Sequence, residues 1–202
     1  MTEKAKIAVL VSGGGTNLQA LIDAEKGGLL KSGTIALVLS NKKDAYALVR
    51  AENAGIETLV VEKGSDRAGF ENKIAEELGK RSIDLVVLAG FMVILSKNFT
   101  DRYPERILNV HPSLIPSFCG EGFYGLRVHE AALAKGVKVT GATVHFVNEI
   151  PDGGRIVMQK AVEVKDGDTP EILQRRVMEE AEWKILPASC ELICKKITEE
   201  RK

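Results

Sequence analysis

Net charge, paired cysteines and long apolar runs are all missing from this chain, and each absence removes a class of function. Its 28 basic and 28 acidic residues cancel, so no long-range positive field draws it to nucleic acid or to an anionic membrane, and any anion site must be local. Cys119, Cys190 and Cys194 are an odd number and do not make a disulfide framework. The last two are spaced to share a helix face rather than to cage a metal, and reduced thiols in a cytosolic protein are the simplest account. No stretch approaches the ~20 uninterrupted apolar residues of a membrane span, and the N-terminal segment has no signal-peptide pattern. Repeats and low-complexity linkers are also absent. The expectation is one cytoplasmic domain over residues 1–202, a monomer or homodimer, without metal, nucleic acid or membrane partner.

Hydrophobic period supplies the fold. Ile7 to Val11 reads as a buried strand, followed by Ser12-Gly13-Gly14-Gly15-Thr16-Asn17 and then by Leu18, Leu21 and Ile22 at helical spacing. Ala36 to Ser40 and Glu57 to Val61 are further strands around a helix from Ala45 to Asn53, closed by Gly55. Phe70, Ile74 and Leu78 mark an amphipathic helix over Asp66 to Lys80, and Leu85 to Leu88 is apolar on both faces. Strand and helix alternate, so the fold class is α/β: Rossmann-like, doubly wound, mostly parallel, with helices on both faces. Ile107 to Val110 gives one more strand and Gly125 to Lys135 a helix. Val137 to Val147 and Ile156 to Val164 pair as a hairpin. A long helix starts near Asp168-Thr169-Pro170-Glu171. Its apolar face runs through Leu173, Val177, Ala181, Ile185, Ala188 and Leu192, with a kink at Pro187 and a fraying charged end from Thr198 to Lys202.

Three patterns carry chemistry. The Ser12–Asn17 turn can hold an anion on backbone N–H groups at a helix N-terminus, with Thr16 and Asn17 as side-chain donors; the alternative is a tight turn with no ligand. It lacks the Gly-Lys-Ser/Thr ending of a Walker loop, and Leu18 occupies the third glycine's place of a dinucleotide fingerprint. Asn109 and His111 stand two apart at the end of an apolar strand, so they share a face, and Pro112 stops the ladder behind them. Such a pair can stabilise an oxyanion and move a proton; alternatively it is a capping amide with a hydrogen-bonded surface imidazole. Asp152 precedes Gly153 and Gly154, where it either bonds its own turn or brings a carboxylate to the sheet edge. His145, alternating with Val144 and Phe146, is read as structural or as a support behind the site. His129, beside Glu130, is a solvated surface group or a substrate contact.

Together, Ser12-Gly-Gly-Gly-Thr-Asn-Leu-Gln19, Leu88-Ala-Gly-Phe-Met92, Asn109-Val-His-Pro-Ser-Leu114, Val144-His-Phe-Val147 and Asp152-Gly-Gly154 resemble the folate-dependent formyltransferases over nearly the whole chain. Gly15-Thr-Asn-Leu-Gln19 points to the glycinamide ribonucleotide branch. That resemblance implies formyl transfer from 10-formyltetrahydrofolate, as cosubstrate, to the amine of phosphoribosylglycinamide in purine biosynthesis. It implies Asn109, His111 and Asp152 as catalytic residues. Gly14, Gly15, Thr16, Asn17 and Glu182 would serve the substrate's phosphate and ribose, and Arg67, Met92, Val93, Ile94, Leu95, Asn109 and Asp152 the folate. Arg67 is also a helper for the phosphate. A phosphate-binding half (1–105) would precede a catalytic and folate-binding half (106–202). Asp152 is expected to hold His111 charged, since a neighbouring carboxylate raises a histidine above its ~6.5 reference.

The chain departs from the family at four places: Val93 where Arg is frequent, Cys119 for Pro, Trp183 for His, and Glu179 where Lys or Gln reaches the phosphate. A formyltetrahydrofolate hydrolase or a transfer RNA formyltransferase would need an added domain. A non-catalytic nucleotide-binding module would need no converging triad.

Overall fold

The computed structural model describes residues 3–201. One seven-stranded sheet has the order β3-β2-β1-β4-β5-β6-β7. The strands are β1 (Ala5–Val11), β2 (Gly33–Ser40), β3 (Thr58–Val60), β4 (Leu85–Leu88), β5 (Ile107–His111), β6 (Val139–Phe146) and β7 (Ile156–Glu163). Neighbours from β3 through β5 pair in parallel, and β5–β6 and β6–β7 pair antiparallel. The chain therefore forms the expected α/β doubly wound, mostly parallel sheet with a terminal hairpin and long helix.

Side-chain alternation splits the core in two. Ile7, Val9 and Val11 point to one face, under α1 (Thr16–Lys26), α2 (Tyr46–Asn53) and the C-terminal helices. Ala8 and Leu10 point to the other, under α3 (Arg67–Lys80) and the short α4 (Lys97–Thr100). Asp66 caps α3 by accepting from the Gly69 N–H. The hairpin closes where Gly154 lies against β6; an added Cβ would sit 1.7 Å from the Phe146 carbonyl oxygen, so only glycine fits.

The C-terminal element differs from the sequence expectation. Thr169 caps α6 (Pro170–Val177), ahead of Pro170 at the first turn. A π-helical turn, Met178–Glu182, follows, and then α7 (Trp183–Glu200). The break in α-helical bonding falls in that turn, while Pro187 lies inside α7. An extra residue per turn rotates everything after it by about 100°. The buried stripe therefore shifts from Leu173, Val177 and Ala181 to Leu186, Cys190, Ile193 and Ile197, and leaves Leu192 half exposed. At the far end α7 runs to Glu200, which accepts from Arg106, while Arg201 donates to Asp84. Lys202 lies outside the described residues. Among the described residues no helix is long and apolar enough to cross a membrane.

Candidate active site

Two kinds of construction meet at the carboxyl ends of the central strands. At the end of β1 the turn is made of backbone. Gly15, with φ +73°, caps α1 in the left-handed conformation, and a Cβ there would come within 2.6 Å of the Ala47 Cβ. Gly13 and Gly14 are open to solvent at the positive end of α1, where an anion can approach the turn. Arg50 donates from Nε to the Gly14 carbonyl at 2.8 Å, and Ser12 ties the turn to the next segment by accepting the Met92 N–H at 2.9 Å. The Thr16 hydroxyl has only the weak thioether acceptor of Met178, at 3.8 Å. Asn17 donates to Glu182 at 2.7 Å and keeps a buried, unpartnered Oδ1. Burial pushes the Glu182 carboxyl up to about 7, against the pull of that hydrogen bond.

At the end of β5 the site is made of side chains. The antiparallel register sets Asn109 opposite His145, and the Asn109 amide lies 3.2 Å from His145 Nε2. His145 Nδ1 donates to the Phe146 carbonyl at 2.8 Å. Asp152, at φ +56°, turns its carboxylate back between two imidazoles. Oδ2 stands 3.4 Å from His111 Nδ1, and Oδ1 stands 3.4 Å from His145 Nε2. The segment after β5 folds over this cluster. The Phe118 carbonyl accepts from His111 Nε2 at 2.8 Å, and the Gly120 N–H donates to Asp152 at 2.9 Å. Thr143 anchors the segment by donating to the Ser113 carbonyl and accepting the Ile115 N–H.

The His111 ionisation runs opposite to expectation. Burial lowers it below its ordinary value; Asp152 and the Phe118 carbonyl pull upward, His145 adds to the lowering, and burial wins. For Asp152, burial pulls upward, but the hydrogen-bonding His145, the His111 charge and the Gly120 N–H outweigh it and hold the carboxyl below its usual range. The pair at neutral pH is thus a carboxylate beside a neutral imidazole. His129 is neither solvated nor at the surface. It is fully buried on α5 (Leu126–Lys135), neither ring nitrogen has a partner, and desolvation followed by the nearby His111 lowers it to about 4.

The segment after β4 alternates. Val93 and Leu95 turn into the core, while Met92 and Ile94 are more than half exposed. Arg67, at the start of α3, reaches across to this segment, with Nε 3.2 Å from Glu71 and Nη2 donating to the Ile94 carbonyl at 2.9 Å; the arginine at the glycine turn is Arg50. Glu179 is exposed within the π turn, and Trp183 lines a cleft between α1 and α7 that borders Thr16. His145 supports the site from behind, as read from the sequence, through its contacts with Asn109 and Asp152. Sequence reasoning missed the closing segment at Phe118 and Gly120, which no spacing along the chain signals.

An open α/β sheet with a backbone anion turn at the end of β1 and an Asn-His-Asp cluster at the end of β5, one strand apart across β4, has the carboxyl-edge arrangement at which such sheets bind ligands. The chain matches the formyl transferase family over residues 5–189, and it belongs to that family. It is 43% identical to phosphoribosylglycinamide formyltransferase of Haemophilus influenzae, over 97% of this chain and 88% of that one. It is 48% identical to the human trifunctional purine biosynthetic protein adenosine-3 over 95% of this chain, but spans only 18% of that protein's length. The crystal structure of glycinamide ribonucleotide transformylase 1 from Symbiobacterium toebii superposes with a TM-score of 0.89 at 42% identity, covering 96% of this chain and 89% of that one.

Proposed function

We propose that this protein transfers the formyl group of 10-formyltetrahydrofolate to the amine of N1-(5-phosphoribosyl)glycinamide, a step of de novo purine biosynthesis. The observation that carries the reading is the arrival of Asn109, His111 and Asp152 from distant parts of the chain at one place, with Asp152 within 3.4 Å of His111. No covalent intermediate is needed, because the incoming amine is itself the nucleophile.

The glycine turn, Gly14 to Asn17, holds the phosphate, and Glu182 with Asn17 faces the ribose. The pterin enters beside Met92 and Ile94, near the turn that carries Asp152, with Arg67 toward the folate tail. Fixing both substrates raises the effective concentration of the amine at the formyl carbon.

When the amine attacks, a C–N bond forms and the formyl oxygen becomes an oxyanion. Asn109 and the His111 Nε2–H donate to it, each such donor being worth about 3–4 kcal/mol in the transition state. For this, Nε2 must leave the Phe118 carbonyl, so the closing segment shifts when substrate binds. The amine's proton passes, through water, to the ionised Asp152. As the bond from the formyl carbon to N10 of the folate breaks, that nitrogen takes the proton, giving formylated product and tetrahydrofolate. A neutral His111 suits this role, because it keeps a donor on Nε2 without needing a charge that burial opposes.

The test is an absorbance assay of formyl loss from the donor, run with and without phosphoribosylglycinamide. Loss that depends on the amine is the expected result. Loss without the amine makes the protein a hydrolase, and no loss under either condition makes it a binding module.

A further inference from the structure

Glu71 is a buried acid that the reaction does not use, 5% exposed on α3. A carboxylate removed from water is costly unless its lone pairs are met. Here they are met by a particular set of donors. Oε1 accepts the Ser96 N–H at 2.8 Å and Arg67 Nε at 3.2 Å, and Oε2 accepts the Ser96 hydroxyl. Burial pulls this carboxyl upward, yet the Ser96 and Arg67 bonds outweigh it and keep it below the usual range, so it stays ionised.

Both partners tie Glu71 to the segment after β4. Ser96 ends that segment and caps α4. Arg67, one turn before Glu71 on α3, reaches across to the Ile94 carbonyl at 2.9 Å. Glu71 therefore grips the far end of the segment directly and its middle through an arginine.

Arg67 is also specifically prepared. Glu71 holds Nε and Ile94 holds Nη2, while none of these bonds uses Nη1, and the side chain is half exposed. A guanidinium fixed along one edge offers the rest of its fork to a carboxylate with little rotamer entropy left to lose. An unheld surface arginine would have to lose that freedom on binding. Position 93 adds no second cation, because Val93 is packed into the core.

We infer that Glu71 is a positioning residue that sets Arg67 to receive the glutamate carboxylates of the folate tail. This rests on the folate reading above. In Glu71→Gln the amide oxygen can still accept the Ser96 N–H, but the charged hold on Arg67 is gone. The measurement is KM and kcat for two formyl donors, formyl-folate and the same donor truncated before its glutamate, with the Kd of each taken by calorimetry.

For E71Q, KM and Kd of the full donor should rise about tenfold, kcat should stay within about twofold, and the truncated donor should show no change. Arg67→Ala should show the same donor-dependent rise, and adding E71Q to R67A should add nothing further. Unchanged KM and Kd for the full donor in E71Q, an equal rise for both donors, or a double variant worse than R67A would each overturn the inference. If E71Q does not fold, Ser96→Ala loosens the same carboxylate and is read by the same two donors; no donor-dependent rise there overturns the inference as well. Formyl transfer by the unaltered protein is scored separately, so its absence counts against the reaction while the Kd comparison still decides the role of Glu71.

Discussion

The two halves of the site are built from different materials. The turn after β1 is backbone, local in sequence, exposed, and dependent on one left-handed glycine. The cluster after β5 is side chain, gathered from positions 109, 111, 145 and 152, with His111 and His145 buried and Asn109 and Asp152 partly so. A backbone site tolerates changed side chains but not an added Cβ. A buried side-chain site depends on each member, because removing one leaves its partners unsatisfied.

The sharpest way to break this comparison is to remove members of the cluster. Asp152→Ala should lower turnover at least about a thousandfold, and His111→Ala and Asn109→Ala at least about a hundredfold, with melting temperature recorded alongside. Near-normal turnover in any of them removes that residue from the chemistry. At the backbone half, Gly15→Ala puts a Cβ 2.6 Å from the Ala47 Cβ at a positive φ. KM for phosphoribosylglycinamide should rise by about tenfold or more while turnover at saturation falls less. An unchanged KM would mean that the turn does not seat the phosphate.

Two smaller effects sharpen the contrast through pH. Glu182, raised to about 7 in the fold, keeps its proton there between its unfolded value and about 7 while the unfolded chain releases it. Stability therefore falls as pH rises through that window and levels off above it. Glu182→Gln should melt several degrees above the unaltered protein at about pH 8, and the gain should vanish below about pH 4.5. His129 has the opposite sign. Lowered to about 4 in the fold, it stays neutral where the unfolded chain is protonated, so stability is lost as pH falls from about 6.5 toward 4. His129→Leu should flatten the melting-temperature profile over that interval, and an unaltered slope would show that the ring is not buried neutral.

The parallel half was readable because period and turn chemistry act within ten or twenty residues: Ile7 to Val11, the glycine turn and the Phe70-Ile74-Leu78 stripe all form where their spacing puts them. Asn109 and His111 were readable as a pair for the same reason. Their partners were not, because His145 and the Phe118 carbonyl reach them through strand register and a folded-back segment, which spacing along the chain does not encode. The direction of the His111 shift depended on burial, and burial is a property of the assembled cluster. The stripe on the last helix failed at one residue, where the π turn in Met178–Glu182 changed the period under it.

A helix that changes face in mid-course acts as a clasp. Before the π turn it packs on α5 and β6, the turn itself lies on β6 and β7, and after it the same backbone continues from β6 and β7 over β1 and β2. The anion turn and the imidazole cluster are thus latched from behind by one continuous stretch. Peeling residues 170–200 from the sheet would strip support from the β1 end and from the β6–β7 hairpin together.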